Sequence, residues 1–252
     1  EIQQDLSELE TSNTNTEAQS IADALRVMVE RIDRTFHGEI KQTKTGFKDL
    51  DEKLIGLESG DMIVIAGRPS MGKTALALQI AEHVSETEPS LIFSMEMPAM
   101  QLAMRQVSST GNIDLLKLRS ANMDHEDWTK LTYAIGKLRE RNLFIDDRSG
   151  LNMQQVRARA RQVKRKHGLG LIVLDYLQLV AGDGENRNNA VSEISRQIKG
   201  MARELDVPVI CLSQLSRKVE ERQNKRPTMA DLRDSGAIEQ DADVVLMLYR
   251  DE

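Results

Sequence analysis

Residues Gly67 to Thr74 read Gly-Arg-Pro-Ser-Met-Gly-Lys-Thr and fit the pattern G-x-x-x-x-G-K-[ST] at every fixed position. Upstream lies Met62 to Ala66, a short apolar run of β type, and Lys73 to Val84 has helical composition, so the glycines fall where a strand turns into a helix. That arrangement commits the chain to an α/β core. Gly67 and Gly72 let backbone N–H groups converge on phosphate oxygens with no Cβ in the way, and the following helix points its positive dipole end at the same anion. In such a loop Lys73 reaches the β- and γ-phosphates of a nucleoside triphosphate, and the Thr74 hydroxyl ligates Mg²⁺. The competing reading is an ordinary Gly/Pro turn before a helix.

The rest of the chain supplies the sheet that such a loop needs. After Gly46, apolar runs at Met62–Ala66, Leu91–Phe93, Leu143–Ile145, Leu169–Leu174, Val207–Leu212 and Val244–Leu248 alternate with helical segments such as Pro98–Thr110, Asp124–Arg141, Asn152–His167 and Asn189–Asp206. Near-continuous apolar strands interleaved with helices predict a mostly parallel sheet covered on both faces. Ligands of such sheets bind beyond the carboxyl ends of the strands, so the residues that follow each strand are the informative ones.

Leu171 to Leu174 ends in Asp175, an acid placed to accept the Mg²⁺ shell opposite Thr74. Leu91 to Met95 ends in Glu96, a carboxylate placed to polarise the water that attacks the γ-phosphate. Gln214 closes the strand ending Leu212-Ser213, where an amide can sense the γ-phosphate or simply make a strand-end hydrogen bond. Beyond it runs a long polar stretch, Leu215 to Ala237, with Arg217, Lys218, Arg222, Lys225, Arg226 and Arg233 but no aromatic residue. Cations on such a stretch suit a phosphodiester backbone more than base stacking. Gly182 to Asn189 is a second candidate loop with little charge. The basic helix Asn152–His167 reads as a solvated face.

Residues 1–17 are polar and acidic and read as a flexible linker. From Ala18, Ile21, Leu25, Met28, Ile32 and Phe36 recur at spacings of four, three, four and four, one apolar stripe on a helix ending near Gly38. The stripe packs either in the core of its own domain or on a neighbouring subunit. The first residue is Glu1 rather than Met, which reads as a fragment or a processed chain. A net charge of −6 argues against a chain coated in nucleic-acid-binding charge, and the single cysteine, Cys211, falls in an apolar run and excludes a disulfide or zinc framework. With no secretory signal and no apolar run of membrane-span length, the chain reads as cytoplasmic.

Taken in order, GRPSMGKT (Gly67–Thr74), FSMEMP (Phe93–Pro98), LIVLDYLQL (Leu171–Leu179), VPVICLSQLSR (Val207–Arg217) and KRPTMADLRDSGAIEQDAD (Lys225–Asp243) resemble the C-terminal motor domain of DnaB-type replicative DNA helicases. The resemblance covers about Thr45 to Glu252, and the last two segments are its most specific part. It implies a RecA-like P-loop NTPase domain over residues 39–252, preceded by a linker helix at 18–38 that docks on the adjacent subunit. It implies ATP and Mg²⁺ as cofactors, with Ser70, Gly72, Lys73 and Thr74 on the nucleotide, Asp175 at the metal, Glu96 as catalytic base and Arg105 near the nucleotide. It implies that Arg233, Asp234 and Gly236 touch the single-stranded DNA backbone, Asp234 standing where the family usually carries Glu. A homohexameric ring, 5′-to-3′ movement, and contacts with a helicase loader and primase belong to the same implication. So does a cation reaching a neighbour's ATP site, expected past Glu252. Two rival readings are a RecA-type recombination or repair ATPase and a nucleotide-gated oligomeric scaffold.

Overall fold

The computed structural model describes residues 20–39, 42–175 and 187–250, apart from the side chains of 187–189 and 233–237. The expected loop at 182–189 therefore lies largely outside the described residues. The chain divides into two units, Glu1–Gln42 and Thr43–Glu252. In the first, helix α1 spans Ile21–Phe36. Its N-cap is Ser20, whose Oγ accepts the Asp23 N–H at 3.1 Å, and Gly38 follows at φ +72°. None of its residues is buried; Ile21, Leu25, Met28, Ile32 and Phe36 are all exposed.

The second unit opens with α2 (Lys48–Leu54), β1 (Met62–Gly67), α3 (Lys73–Val84) and β2 (Ser90–Ser94). Then come α4 (Ala99–Gly111), α5 (Leu115–Ser120), α6 (His125–Arg139), β3 (Leu143–Asp146), α7 (Met153–His167) and β4 (Leu171–Asp175). It closes with α8 (Arg187–Leu205), β5 (Val209–Gln214), α9 (Lys218–Glu221), a 3₁₀ turn (Met229–Ser235), α10 (Gly236–Asp241) and β6 (Val244–Leu248).

The six strands form one sheet in the order β3-β2-β4-β5-β1-β6, every pair parallel. Because successive side chains point to opposite faces, each apolar run feeds two cores. Met62, Val64, Phe93, Ile172, Leu174 and Cys211 pack with Val156 of α7 and Ile198 and Met201 of α8. Ile63, Ile65, Ile92, Val173, Ile210 and Leu212 pack instead with Ala77, Leu78, Ile80 and Val84 of α3 and Leu102 of α4. Burial pushes the Cys211 thiol far up its scale, so it is an inert core residue.

An ion-pair cluster moors the amino end of the sheet. Asp243 Oδ2 accepts the Met62 N–H at 2.7 Å and pairs with Lys199, whose ammonium also donates to Gly60 O at 2.9 Å. The carboxyl ends lie on the opposite edge. Since β2, β4, β5 and β1 are consecutive in the sheet, the segments following Ser94, Asp175, Gln214 and Gly67 emerge side by side. No helix among the described residues is long and apolar enough to cross a membrane.

Candidate nucleotide site

The loop between β1 and α3 has the backbone that its sequence demands. Gly72 sits at φ +91°, and a Cβ on Gly67 would press against Leu248 O at 3.3 Å and Lys73 Cγ at 3.4 Å. Ser70 adopts φ +65°, a left-handed conformation sparsely used by residues with a Cβ and worth of order 1 kcal/mol or more of local strain. Lys73 opens α3 and folds back, its Nζ donating to Gly67 O at 2.9 Å and Arg68 O at 3.1 Å.

Thr74 Oγ1 donates to Asp175 Oδ2 at 3.0 Å, so the helix start and the end of β4 meet at one point. Glu96 lies one residue beyond Met95 in the bend that follows β2, rather than on the strand itself. The Ser94 hydroxyl pins that bend, donating to Met97 O at 2.7 Å, while Met95 N–H donates to Asp175 O at 3.0 Å. Gln214 ends β5 in register with Gly67 and is exposed.

These elements enclose a cleft of about 410 Å³ lined by Ser70, Gly72, Lys73, Thr74, Glu96, Arg105, Asp175 and Gln214, with Pro69, Ala75 and Met97 between them. Of the residues tied to the nucleotide from sequence, all but Gly67 thus border one cavity. Burial pulls the Lys73 ammonium below its ordinary range, against the opposing pull of Asp175 and Glu96. Burial likewise raises Asp175, opposed by the Thr74 hydrogen bond.

The donor set fits a metal-bound triphosphate. Two carboxylates in a phosphate cleft would repel the anion without a cation between them. Thr74 and Asp175 supply two hard oxygens at one point, and no cluster of three or more His, Cys, Asp or Glu that could hold a metal exists among the described residues. That inventory suits Mg²⁺, which keeps waters and phosphate oxygens in its shell, rather than an all-protein cage. Arg105 borders the cleft and brings positive charge to it, while its Nε is buried with no hydrogen-bond partner among the described residues.

Sequence reasoning passed over Arg68, which occupies a variable position of the loop pattern. Its guanidinium is almost fully buried, with Nε donating to Glu220 Oε1 at 2.7 Å and Nη1 to Leu215 O at 2.8 Å. The available signal was a charge set directly after an apolar strand, where an exposed polar turn is the default.

The polar stretch after Gln214 is more built than a loop. It contains α9 and the 3₁₀ turn, and Asp231 organises it by accepting the Thr228 N–H at 2.7 Å and a 2.5 Å bond from Arg222. Arg233, Asp234 and Gly236 lie where the 3₁₀ turn meets α10, and their side chains fall outside the described residues. Helix α7 is not simply a solvated face: Arg159 pairs with Asp146 at 2.7 Å and Arg161 with Glu204 at 2.6 Å, while Lys164 donates to Leu205 O.

Residues 43–252 match the family described as the DnaB-like helicase C terminal domain. The chain is 50% identical over 246 residues to the replicative DNA helicase DnaC of Bacillus subtilis (strain 168), covering 94% of this chain and 54% of that protein. It is 52% identical over 220 residues to the replicative DNA helicase DnaB of Geobacillus stearothermophilus, covering 85% and 48%. It therefore spans about half the length of these curated relatives. Among solved structures, one described as an ATPase domain superposes with a TM-score of 0.86 at 42% identity, over 93% of this chain and 84% of that one. A DnaB-like replicative helicase described with its interactions with primase superposes with a TM-score of 0.84 at 43% identity, over 98% and 60%.

Proposed function

Because the chain belongs to the DnaB-like helicase C-terminal domain family, we propose that it is the ATP-hydrolysing motor of a ring-forming replicative helicase. In this reading it moves 5′ to 3′ on single-stranded DNA and separates the duplex at the fork. The observation that carries the proposal is the meeting of the 67–74 loop, Glu96, Asp175 and Gln214 at four adjacent strand ends around one cleft.

The residues divide the work by position. Backbone N–H groups of the loop and the start of α3 bind the phosphates, and Lys73 and Arg105 bring positive charge to them. Thr74 and Asp175 would hold Mg²⁺, which when bound would supply positive charge to offset that of the phosphates. Glu96, on an exposed bend rather than in the core, orients the attacking water and receives its proton. Gln214 couples the γ-phosphate end of the cleft to the segment that follows β5.

Arg233, Asp234 and Gly236 bring the DNA contact to that segment, and the absence of aromatic residues from Leu215 to Ala237 supports backbone rather than base recognition. The test is ATP turnover with and without single-stranded DNA, on protein sized by light scattering. DNA-stimulated hydrolysis supports the motor; nucleotide binding with no response to DNA would favour a nucleotide-gated scaffold. Arg233→Ala is expected to weaken DNA binding about equally across sequences and to lower the magnitude of the salt slope by about one. A sequence-selective loss would overturn the backbone assignment.

The stripe on α1 completes the proposal by docking on a neighbouring copy. Each large apolar side chain buried contributes about 1.5 to 3 kcal/mol, so the joint substitution Leu25→Ser, Met28→Ser and Ile32→Ser should convert rings to monomers. An unchanged mass in light scattering would place the stripe elsewhere. Contacts with a loader and with primase, and action in the bacterial cytoplasm, belong to the whole protein in the same reading.

A further inference from the structure

Arg68 and Leu215 join the phosphate loop to the segment after β5 through a closed set of bonds. Leu215 N–H donates to Gly67 O at 3.3 Å, and Leu215 O accepts from Arg68 Nη1 at 2.8 Å, so both backbone polar groups of one residue are held by the first two residues of the loop. The remaining reach of the guanidinium goes to Glu220 in α9, at 2.7 Å. Leu215 and Val219 are buried on either side of these contacts, which makes the segment from Leu215 to Glu220 follow its anchors rather than move independently.

The other end of the connection is Lys73. Its ammonium donates to Gly67 O and Arg68 O, the carbonyls of the same two residues. A phosphate competing for the Lys73 donors acts directly on the peptide units that hold Leu215. Arg68 and Glu220 also border a cavity of about 470 Å³, together with Met71, Val219 and Leu248. The cavity gives α9, through Val219 and Glu220, space to shift beside the core that holds Leu215.

We propose that Arg68 is a positioning residue that reports phosphate binding in the 67–74 loop to the segment Leu215–Asp231 through its bonds to Leu215 and Glu220. The inference rests on the reading of 67–74 as a nucleotide site, and it requires no DNA. A buried charge with fork geometry suits such reporting, because the guanidinium serves two acceptors at fixed angles and displacing one displaces the other. An ordinary structural ion pair would hold the segment equally with and without nucleotide, and that difference is measurable.

The experiment is hydrogen exchange of the full chain, with and without Mg²⁺ and a non-hydrolysable ATP analogue, alongside a binding titration of the same analogue. In the natural protein, exchange over residues 215–231 is expected to slow by about threefold or more when the analogue binds. In Glu220→Ala and Arg68→Gln that response should fall below about 1.5-fold, while analogue affinity in Glu220→Ala stays within about threefold of the natural value. Glu220 carries a half-exposed side chain, so its variant decides the matter even if Arg68→Gln fails to fold. An undiminished response in Glu220→Ala, or no response in the natural protein once the analogue is bound, overturns the proposal. Failure of the natural protein to bind the analogue overturns the nucleotide reading itself, and the titration shows that separately.

Discussion

Glu96→Gln is expected to bind Mg²⁺ and ATP as the natural protein does and to lose turnover by about 10² to 10⁴, the usual contribution of a general base. The two carboxylates of the cleft differ in a way that separates their roles. Asp175 is buried and bonded to Thr74, whereas Glu96 is exposed on its bend and makes no hydrogen bond among the described residues. A carboxylate with no hydrogen-bond partner among the described residues is open to a water molecule, and glutamine keeps its size while removing its basicity. In its proposed role Glu96 acts on the attacking water and not on the ground-state phosphates, so the loss should appear in kcat with little change in nucleotide affinity. Turnover near the natural rate would show that another group orients the water.

Lys73→Ala should produce the opposite split. Its ammonium is the charged donor that the phosphate loop itself brings to the cleft, and charge-assisted hydrogen bonds of this kind contribute about 1.5 to 3 kcal/mol each. Two such bonds to phosphate oxygens correspond to a loss of about 10² to 10⁴ in affinity. Removing Lys73 also removes the cation that faces Asp175 and Glu96, leaving two carboxylates to meet the polyanion. Titration calorimetry measures the affinity directly, and the rise in melting temperature that Mg²⁺ and ATP confer should vanish in parallel. Natural affinity in this variant would refute the phosphate-loop assignment.

The sequence was most legible where function depends on short-range order. The phosphate loop, the six apolar runs and the acids or amides that follow them were readable because each needs only local pattern, and Asp175 and Gln214 close their strands as expected. Strand starts were read early where a neighbouring element captures the backbone: Val207 N–H donates to Ala202 O at the end of α8, so β5 begins only at Val209. Helices α2, α5 and α9 were missed because seven, six and four residues cannot show a helical period. The charges of α7 looked solvated because their partners, Asp146 and Glu204, lie on other elements. Arg68 was hidden for the same reason, since its meaning depends on Glu220, distant in sequence.

The parallel register of β6 with β1 has a mechanical consequence. Val244 to Leu248 lies alongside Ile63 to Gly67 residue for residue, and Asp243 fastens its leading end to Met62. A pull applied along β6 therefore loads the whole ladder in shear, so that the backbone bonds share the force. A hairpin pulled from its open end would instead unzip one bond at a time. In the ring proposed above, tension on this edge strand would reach the 67–74 loop without first unravelling the strand that transmits it.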